Sequence, residues 1–162
     1  MFELQRLRSD HEAAVLAFEQ ENRAYFAKSI SDRGDKFFEE FPERHKELMT
    51  DQESGTGAFY VLVDEHEAVM GRFNLYDILD GKAAVGYRVA ERVSGQGVAT
   101  SGLRKVCRIA REDIGLWTLT AATSNENIAS QRVLAKAGFV SIGPTEVGGR
   151  QGTLFELDLG TL

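Results

Sequence analysis

Seven residues, Ser94-Gly95-Gln96-Gly97-Val98-Ala99-Thr100, constrain this chain more than any others. The apolar run Ala83 to Ala90 leads into them and reads as a strand. A helix-periodic run follows, with Ala99, Leu103, Val106, Cys107, Ala110 and Ile114 on one face. The stretch is therefore strand, glycine-rich turn, helix. Gly95 and Gly97 let the backbone turn sharply and approach a ligand closely. Unpaired N–H groups at the helix start, with the positive end of the helix dipole, suit an anion such as phosphate. A plain strand-to-helix turn is the simpler reading of two glycines alone. A Walker loop fails, because Val98-Ala99 follow Gly97 where Lys-Ser/Thr is required. A dinucleotide fingerprint fails at Thr100, which replaces its third glycine.

A second block lies downstream, from Thr123-Ser124-Asn125-Glu126-Asn127 through Ser130 to Lys136-Ala137-Gly138-Phe139. The loop resembles the pyrophosphate loop of GNAT-superfamily acyltransferases, Q/R-x-x-G-x-G/A, with Gly97 and Ala99 at its last two positions. Ser94 departs from it, standing where Gln or Arg is usual. The second block is similar to the N-x-x-S-x-x-x-x-x-K-x-G-F signature of the branch containing ribosomal-protein N-terminal acetyltransferases. Together they cover about Ala83 to Val140.

A chain of 162 residues suits one domain, 1–162, with a single core. With 19 basic and 25 acidic residues the net charge is −6, which argues against duplex nucleic acid as a partner. The single cysteine, Cys107, excludes an intramolecular disulfide and fits a reducing compartment. His11, His45 and His66 lack metal-ligand spacing, so no metal site is expected. Without a signal-peptide pattern or an apolar run of membrane-spanning length, a cytoplasmic location and no membrane partner are expected. The sequence leaves monomer and homodimer open.

Taken in order, Phe2 to Leu7 reads as a strand. Ser9-Asp10-His11-Glu12 fits a capping box, with Ser9 as N-cap of a helix running to about Phe26. Phe37, Phe38 and Phe41 form a helix-spaced cluster, and Pro42 either kinks that helix or starts another. Thr56–Val63, Ala68–Ile78 and Ala83–Ala90 read as three antiparallel strands, with Gly71 as a bulge position. The helix after the loop ends near Gly115. Leu116–Ala122, a helix over about Asn127–Ala137, and strands from Phe139 and Thr153 complete the chain. The pattern predicts an α+β architecture, one mixed and mostly antiparallel sheet with helices on both faces. It matches the GNAT fold.

The resemblance implies an N-acyltransferase, with acetyl-CoA or another acyl-CoA as donor. The strands on either side of the loop helix would splay, and the pantetheine arm would enter beside Tyr87, Arg88 and Val89. The Val89 N–H would stabilise the oxyanion that forms when an amine attacks the thioester. The pyrophosphate would lie on Ser94, Gly95, Gln96, Gly97, Val98, Ala99 and Thr100. Asn127 would contact the cofactor or serve only as a helix cap. Relatives often carry an acidic tyrosine on the next helix, but Val133 and Leu134 occupy that stretch here. Ser130, one turn after Asn127, is the acid expected to protonate the leaving thiolate, or else bonds only within its helix.

For the base, Ala83 and Ala84 stand where relatives often have Glu, which leaves Glu21, Asp77 or a water chain. Glu21, Asn22, Tyr25 and Phe26 near the first helix end, with Asn74, are expected to wall the acceptor. Cys107 sits on an apolar helix face, so direct attack in a ternary complex is favoured over an acyl-cysteine route. The acceptor is expected to be a primary amine, either a protein N-terminus or a small molecule. The reading of a different class is a non-catalytic CoA-binding sensor or scaffold.

Overall fold

Every position of Ala58-Phe59-Tyr60-Val61-Leu62-Val63 is buried in the computed structural model, which describes Met1 to Leu162. A strand buried at consecutive positions must be covered on both faces. Phe59, Val61 and Val63 join Val15, Phe18, Phe26, Phe37 and Phe41 in one core, while Ala58, Tyr60 and Leu62 join Phe73, Leu103 and Val106 in another. The sheet therefore lies between two helical layers.

Its strands are β1 (Glu3–Arg6), β2 (Ala58–Val63), β3 (Val69–Leu79), β4 (Lys82–Val89), β5 (Thr118–Ser124), β6 (Val140–Val147) and β7 (Arg150–Asp158). They run in the order β1-β2-β3-β4-β5-β7-β6. Only β4 and β5 pair in parallel; the other neighbours are antiparallel. This is the α+β sheet expected from the pattern. The helices α1 (Glu12–Glu21), α2 (Arg23–Phe26), α3 (Asp35–Glu39) and α4 (Phe41–Ser54) precede β2. Helix α5 (Val98–Ile109) links β4 to β5, and α6 (Ile128–Lys136) follows β5.

Helix α5 packs unusually close to the sheet because Gly102 faces Phe73. A Cβ at Gly102 would meet the Phe73 ring at 2.3 Å, so any side chain there would lift the helix off the sheet. Leu103, Val106, Cys107 and Ala110 are buried on the same face, as its periodicity predicts. Truncating one such leucine to alanine costs about 2–5 kcal/mol.

Several local expectations need correction. Ser9 is not the N-cap: Ser9–His11 form a 3₁₀ turn, and the Arg8 N–H donates to His11 Nδ1 at 2.9 Å instead. The first helix breaks at Asn22, whose side chain is engaged elsewhere. Pro42 lies in the first turn of α4, where its missing N–H has no cost, and so starts a helix rather than kinking one. The β2–β3 register shifts between Leu62 and Val63, opposite Gly71 and Val69, so the irregularity adjoins Gly71. Strand β5 begins two residues late because the Trp117 N–H donates to the Gly81 carbonyl rather than to a strand. No helix is long and apolar enough to cross a membrane.

Candidate active site

The site begins where two strands part. β4 and β5 pair at Lys82↔Thr118, Ala83↔Leu119 and Ala84↔Thr120, and no further. β4 stays on β3 as far as Val89, and β5 stays on β7 as far as Ser124. The backbones of Val85–Val89 and Ala121–Ser124 therefore diverge as a wedge. The Ala90 N–H donates to Met70 O at 2.8 Å. Antiparallel strands alternate the direction of their polar groups, so Tyr87 and Val89 aim theirs away from β3, into the wedge. The open edge offers an extended ligand arm the hydrogen bonds a missing strand would have made.

At the top of the wedge is the glycine turn. Gly95 and Gly97 have φ of +73° and +75°, which is the conformation only glycine adopts without strain. A Cβ at either position would meet nothing within 4 Å, so the turn is open to a ligand. Gly97 is the N-cap of α5, and Ser101 N–H to Gly97 O at 3.0 Å begins its ladder. The N–H groups of Val98, Ala99 and Thr100 thus project from the helix end. The Ser94 hydroxyl donates to Glu91 O at 2.7 Å and the Gln96 amide to Arg92 O at 3.3 Å. Both side chains therefore brace the turn, and Gln96 is turned away from the ligand space.

Two connected lobes fill the wedge. The loop lobe, about 320 Å³, is bounded by Ser94, Gly95, Gly97 to Thr100, Tyr87 to Val89, Tyr25, Phe26, Asn127 and Ser130. Arg132 and Lys136 of α6 also line it, and Arg104, Lys105 and Arg108 of α5 border an adjoining groove with Lys136. Sequence reasoning did not single out these cations, although Arg104 with Arg108 and Arg132 with Lys136 recur at helical i,i+4 spacing. The inner lobe, about 300 Å³, runs between Val85–Tyr87 and Ala121–Ser124. Ser29–Ser31 and the β6–β7 turn at Val147–Arg150 close its far side. These two segments meet: a Cβ at Gly148 would lie 2.9 Å from Ser31 Oγ.

Ser130 stands where the lobes join. Asn127 caps α6, its Oδ1 accepting from the Ser130 N–H at 3.2 Å, so the cap is real and fixes Ser130. The Ser130 Oγ lies 3.0 Å from the Tyr87 hydroxyl, which also donates to Ser130 O at 3.3 Å. Burial pushes the Tyr87 phenol up to about 12, so it holds its proton at neutral pH. A tyrosine thus reaches the site from β4. Cys107 is buried and its thiol is raised to about 12 by that burial.

The remaining expected residues divide. Tyr25 and Phe26 line the loop lobe, whereas Glu21, Asn22, Asn74 and Asp77 line neither lobe. Glu21 is exposed at the end of α1, and Asp77 is exposed in an irregular stretch of β3 with φ +53°. Asn22 is buried as a latch, donating to Phe18 O at 2.9 Å and accepting from the Glu91 N–H at 3.0 Å. Asn74 is buried and donates to the Tyr76 hydroxyl at 2.9 Å. The carboxylate that does lie beneath the site is Glu19, only 2 % exposed. It accepts from Arg72 Nη1 at 2.7 Å and from Arg88 Nη2. Burial alone would raise the Glu19 carboxyl, but Arg88 and Arg72 outweigh it and hold the group below its ordinary value. Burial lowers the Arg88 guanidinium to about 10, against the pull of Glu19. Arg88 also stacks on the Phe26 ring, 4.5 Å from its centroid. The network fixes β3 and β4 to α1 and is saturated, which makes Glu19 a support and not a free base.

Comparison with known proteins agrees with this geometry. The family described as Acetyltransferase (GNAT) domain matches residues 2–140. The Bacillus subtilis protein named Probable N-acetyltransferase YjcK is 29% identical over 133 residues, covering 76% of this chain and 72% of the relative. The Vibrio fischeri ribosomal-protein-S5-alanine acetyltransferase superposes with a TM-score of 0.90 at 20% identity, over 97% of this chain and 92% of that one. Mycobacterium smegmatis RimJ, in complex with CoA-disulfide, gives 0.87 at 21% identity, over 99% and 83%.

Proposed function

Because the chain belongs to the GNAT acetyltransferase family, we propose that it transfers an acetyl group from acetyl-CoA to a primary amine in a ternary complex. One observation carries this: β4 and β5 part after Ala84, directly beside a glycine turn that opens α5. The gap fits a pantetheine arm, and the turn fits a pyrophosphate. The Val98–Thr100 N–H groups would hold the pyrophosphate, and Arg104, Lys105, Arg108 and Lys136 would meet further phosphate charge. The Tyr87 and Val89 backbone would pair with the arm, and the Val89 N–H would donate to the thioester oxygen as negative charge develops there.

The amine's attack breaks the C–S bond and leaves a thiolate that needs a proton. Ser130 is the donor, with the Tyr87 hydroxyl behind it at 3.0 Å to resupply the proton. The inner lobe has no Asp or Glu in its lining, so the ammonium loses its proton through water in that lobe. Glu21 and Asp77 line neither lobe, which favours water over either carboxylate as the immediate proton acceptor. The buried, high-pKa Cys107 thiol makes an acyl-cysteine intermediate unfavourable. The acceptor belongs to one of two groups, protein N-termini or small amines. YjcK and the ribosomal-protein enzyme are similar chains and favour an amine nitrogen in either case.

The test is free-thiol release from acetyl-CoA across a panel of amines and N-terminal peptides, with CoA affinity measured by calorimetry. Amine-dependent release is the expected result. Tight CoA binding with no release on any acceptor would show a CoA-binding module instead.

A further inference from the structure

Strand β5 sends alternate side chains to opposite faces of the sheet. Leu119 and Ala121 lie in the core with Leu103 and Val106 of α5. Ala122 and Ser124 therefore face the other way, and both line the inner lobe with Ser29–Ser31 and Val147–Arg150. Across the wedge Gly86 faces the same side, since Val85 before it belongs to the α5 core. The Ser124 carbonyl is engaged, accepting from the Asn127 N–H at 3.0 Å and from Gln131 Nε2 at 3.3 Å. Its side chain is not. Ser124 is 5 % exposed, and its hydroxyl is buried with no hydrogen-bond partner.

The neighbouring strands explain why the chain supplies none. Ser124 lies opposite Gly152 in the β5–β7 register, so β7 presents no side chain to it. A Cβ at Gly152 would lie 2.9 Å from Val147 Cγ2, so the space on that side is filled by an apolar group. Gly86 and Ala122 add no polar side chain. A buried hydroxyl without a partner is costly, and one that lines a binding lobe points to a partner outside the chain.

The hydroxyls of the site are divided between the two faces. The Tyr87 ring stacks on Phe73, which lies against α5 at Gly102, and Ser130 bonds the Tyr87 hydroxyl. The proton donors for the leaving sulfur are thus on the α5 face, and Ser124 is on the face closed by Ser29–Ser31. Acyl transfer benefits from that division, because an acid beside the attacking nitrogen would keep it protonated and without a lone pair.

We propose that Ser124 Oγ is the hydrogen-bond acceptor that orients the attacking nitrogen of the amine. This rests on the acyl-transfer reading above. The ammonium first gives one proton to water in the inner lobe. The neutral amine then donates one N–H to Ser124 Oγ, which turns its lone pair toward the thioester carbon. The C–N bond forms from that pair, the C–S bond breaks, and the surplus proton on nitrogen leaves to the same water. Ser124 keeps its own proton throughout, so it binds the acceptor and is not its base. The bond strengthens as the nitrogen gains positive charge, which favours the transition state over the bound amine.

Propylamine and tetra-alanine amide are the probes, one a small amine and the other a peptide N-terminus. With whichever reacts, Ser124→Ala should lower kcat/KM for the amine about ten-fold and leave KM for acetyl-CoA unchanged. Ser124→Thr keeps a hydroxyl and should restore most of the loss. Because the hydroxyl has no partner within the fold, Ser124→Ala should be no less stable than the parent in chemical denaturation. Parental amine kinetics in Ser124→Ala, or a loss of stability with equal losses toward both substrates, would overturn the proposal. A crystal structure of the parent with CoA and propylamine gives a reading that does not need turnover. A nitrogen or water oxygen within about 3.2 Å of Ser124 Oγ supports the assignment. An Oγ bonded to a group of its own chain, or to nothing, overturns it. Failure of CoA itself to bind would instead count against the acyl-transfer reading.

Discussion

The Tyr87 hydroxyl lies 3.0 Å from Ser130 Oγ, joining the strand that leads into the glycine turn to the helix that follows β5. Both hydroxyls are half-buried where the two lobes of the wedge meet. Ser130→Ala should lower kcat by about 10²–10⁴-fold with little change in KM for acetyl-CoA. Tyr87→Phe keeps the stacked ring against Phe73 and removes only the resupplying hydroxyl, so its kcat should fall by less. Steady-state kinetics of both variants check this, and parental turnover in Ser130→Ala would return leaving-group protonation to water.

The turn makes a separate prediction. Gly97→Val forces a β-branched residue into φ +75° and puts its side chain into the open space before α5. Calorimetry should show CoA affinity falling at least ten-fold while circular dichroism remains that of a folded chain. Unchanged affinity would remove the turn from the binding site.

Glu19 predicts a stability effect that depends on pH in a definite direction. Glu19→Gln leaves the Arg72 and Arg88 guanidiniums buried without their anion, which should cost about 3–5 kcal/mol in chemical denaturation at neutral pH. The folded carboxyl is held below its ordinary value of 4.5, so its contribution is complete above that pH and is lost as pH falls through the depressed value. The stability gap between parent and variant should therefore be flat near neutrality and close only in stronger acid.

Glu21→Gln and Asp77→Asn should leave kcat, KM for the amine and the pH profile unchanged. Both carboxylates are exposed and neither lines the wedge. A rise in the pH optimum of either variant would identify it as the base.

How much of this was legible in the sequence depended on how local the causes were. The glycine turn, the α5 face and the Asn127 cap each arise within a few residues, and all three could be read in advance. The acceptor side could not. Glu19 meets Arg72 and Arg88 across 53 and 69 residues of chain, and Tyr87 meets Ser130 across 43. Glu19 and Glu21 are two positions apart on α1, about 200° around the helix, so one faces the sheet and the other faces water. No composition or spacing rule distinguished them without the partners in place. The inner lobe is closed by Ser29–Ser31 and the β6–β7 turn, which the topology alone brings together.

The central claim is that the wedge beside the glycine turn passes an acetyl group directly to an amine. The most direct measurement uses acetyl-CoA labelled at the acetyl carbonyl carbon, with mass spectrometry of the acceptor and of the protein. The label should appear on the amine nitrogen in step with free CoA, with none on Cys107. Label that stays in the thioester while calorimetry shows CoA saturating the protein would contradict it.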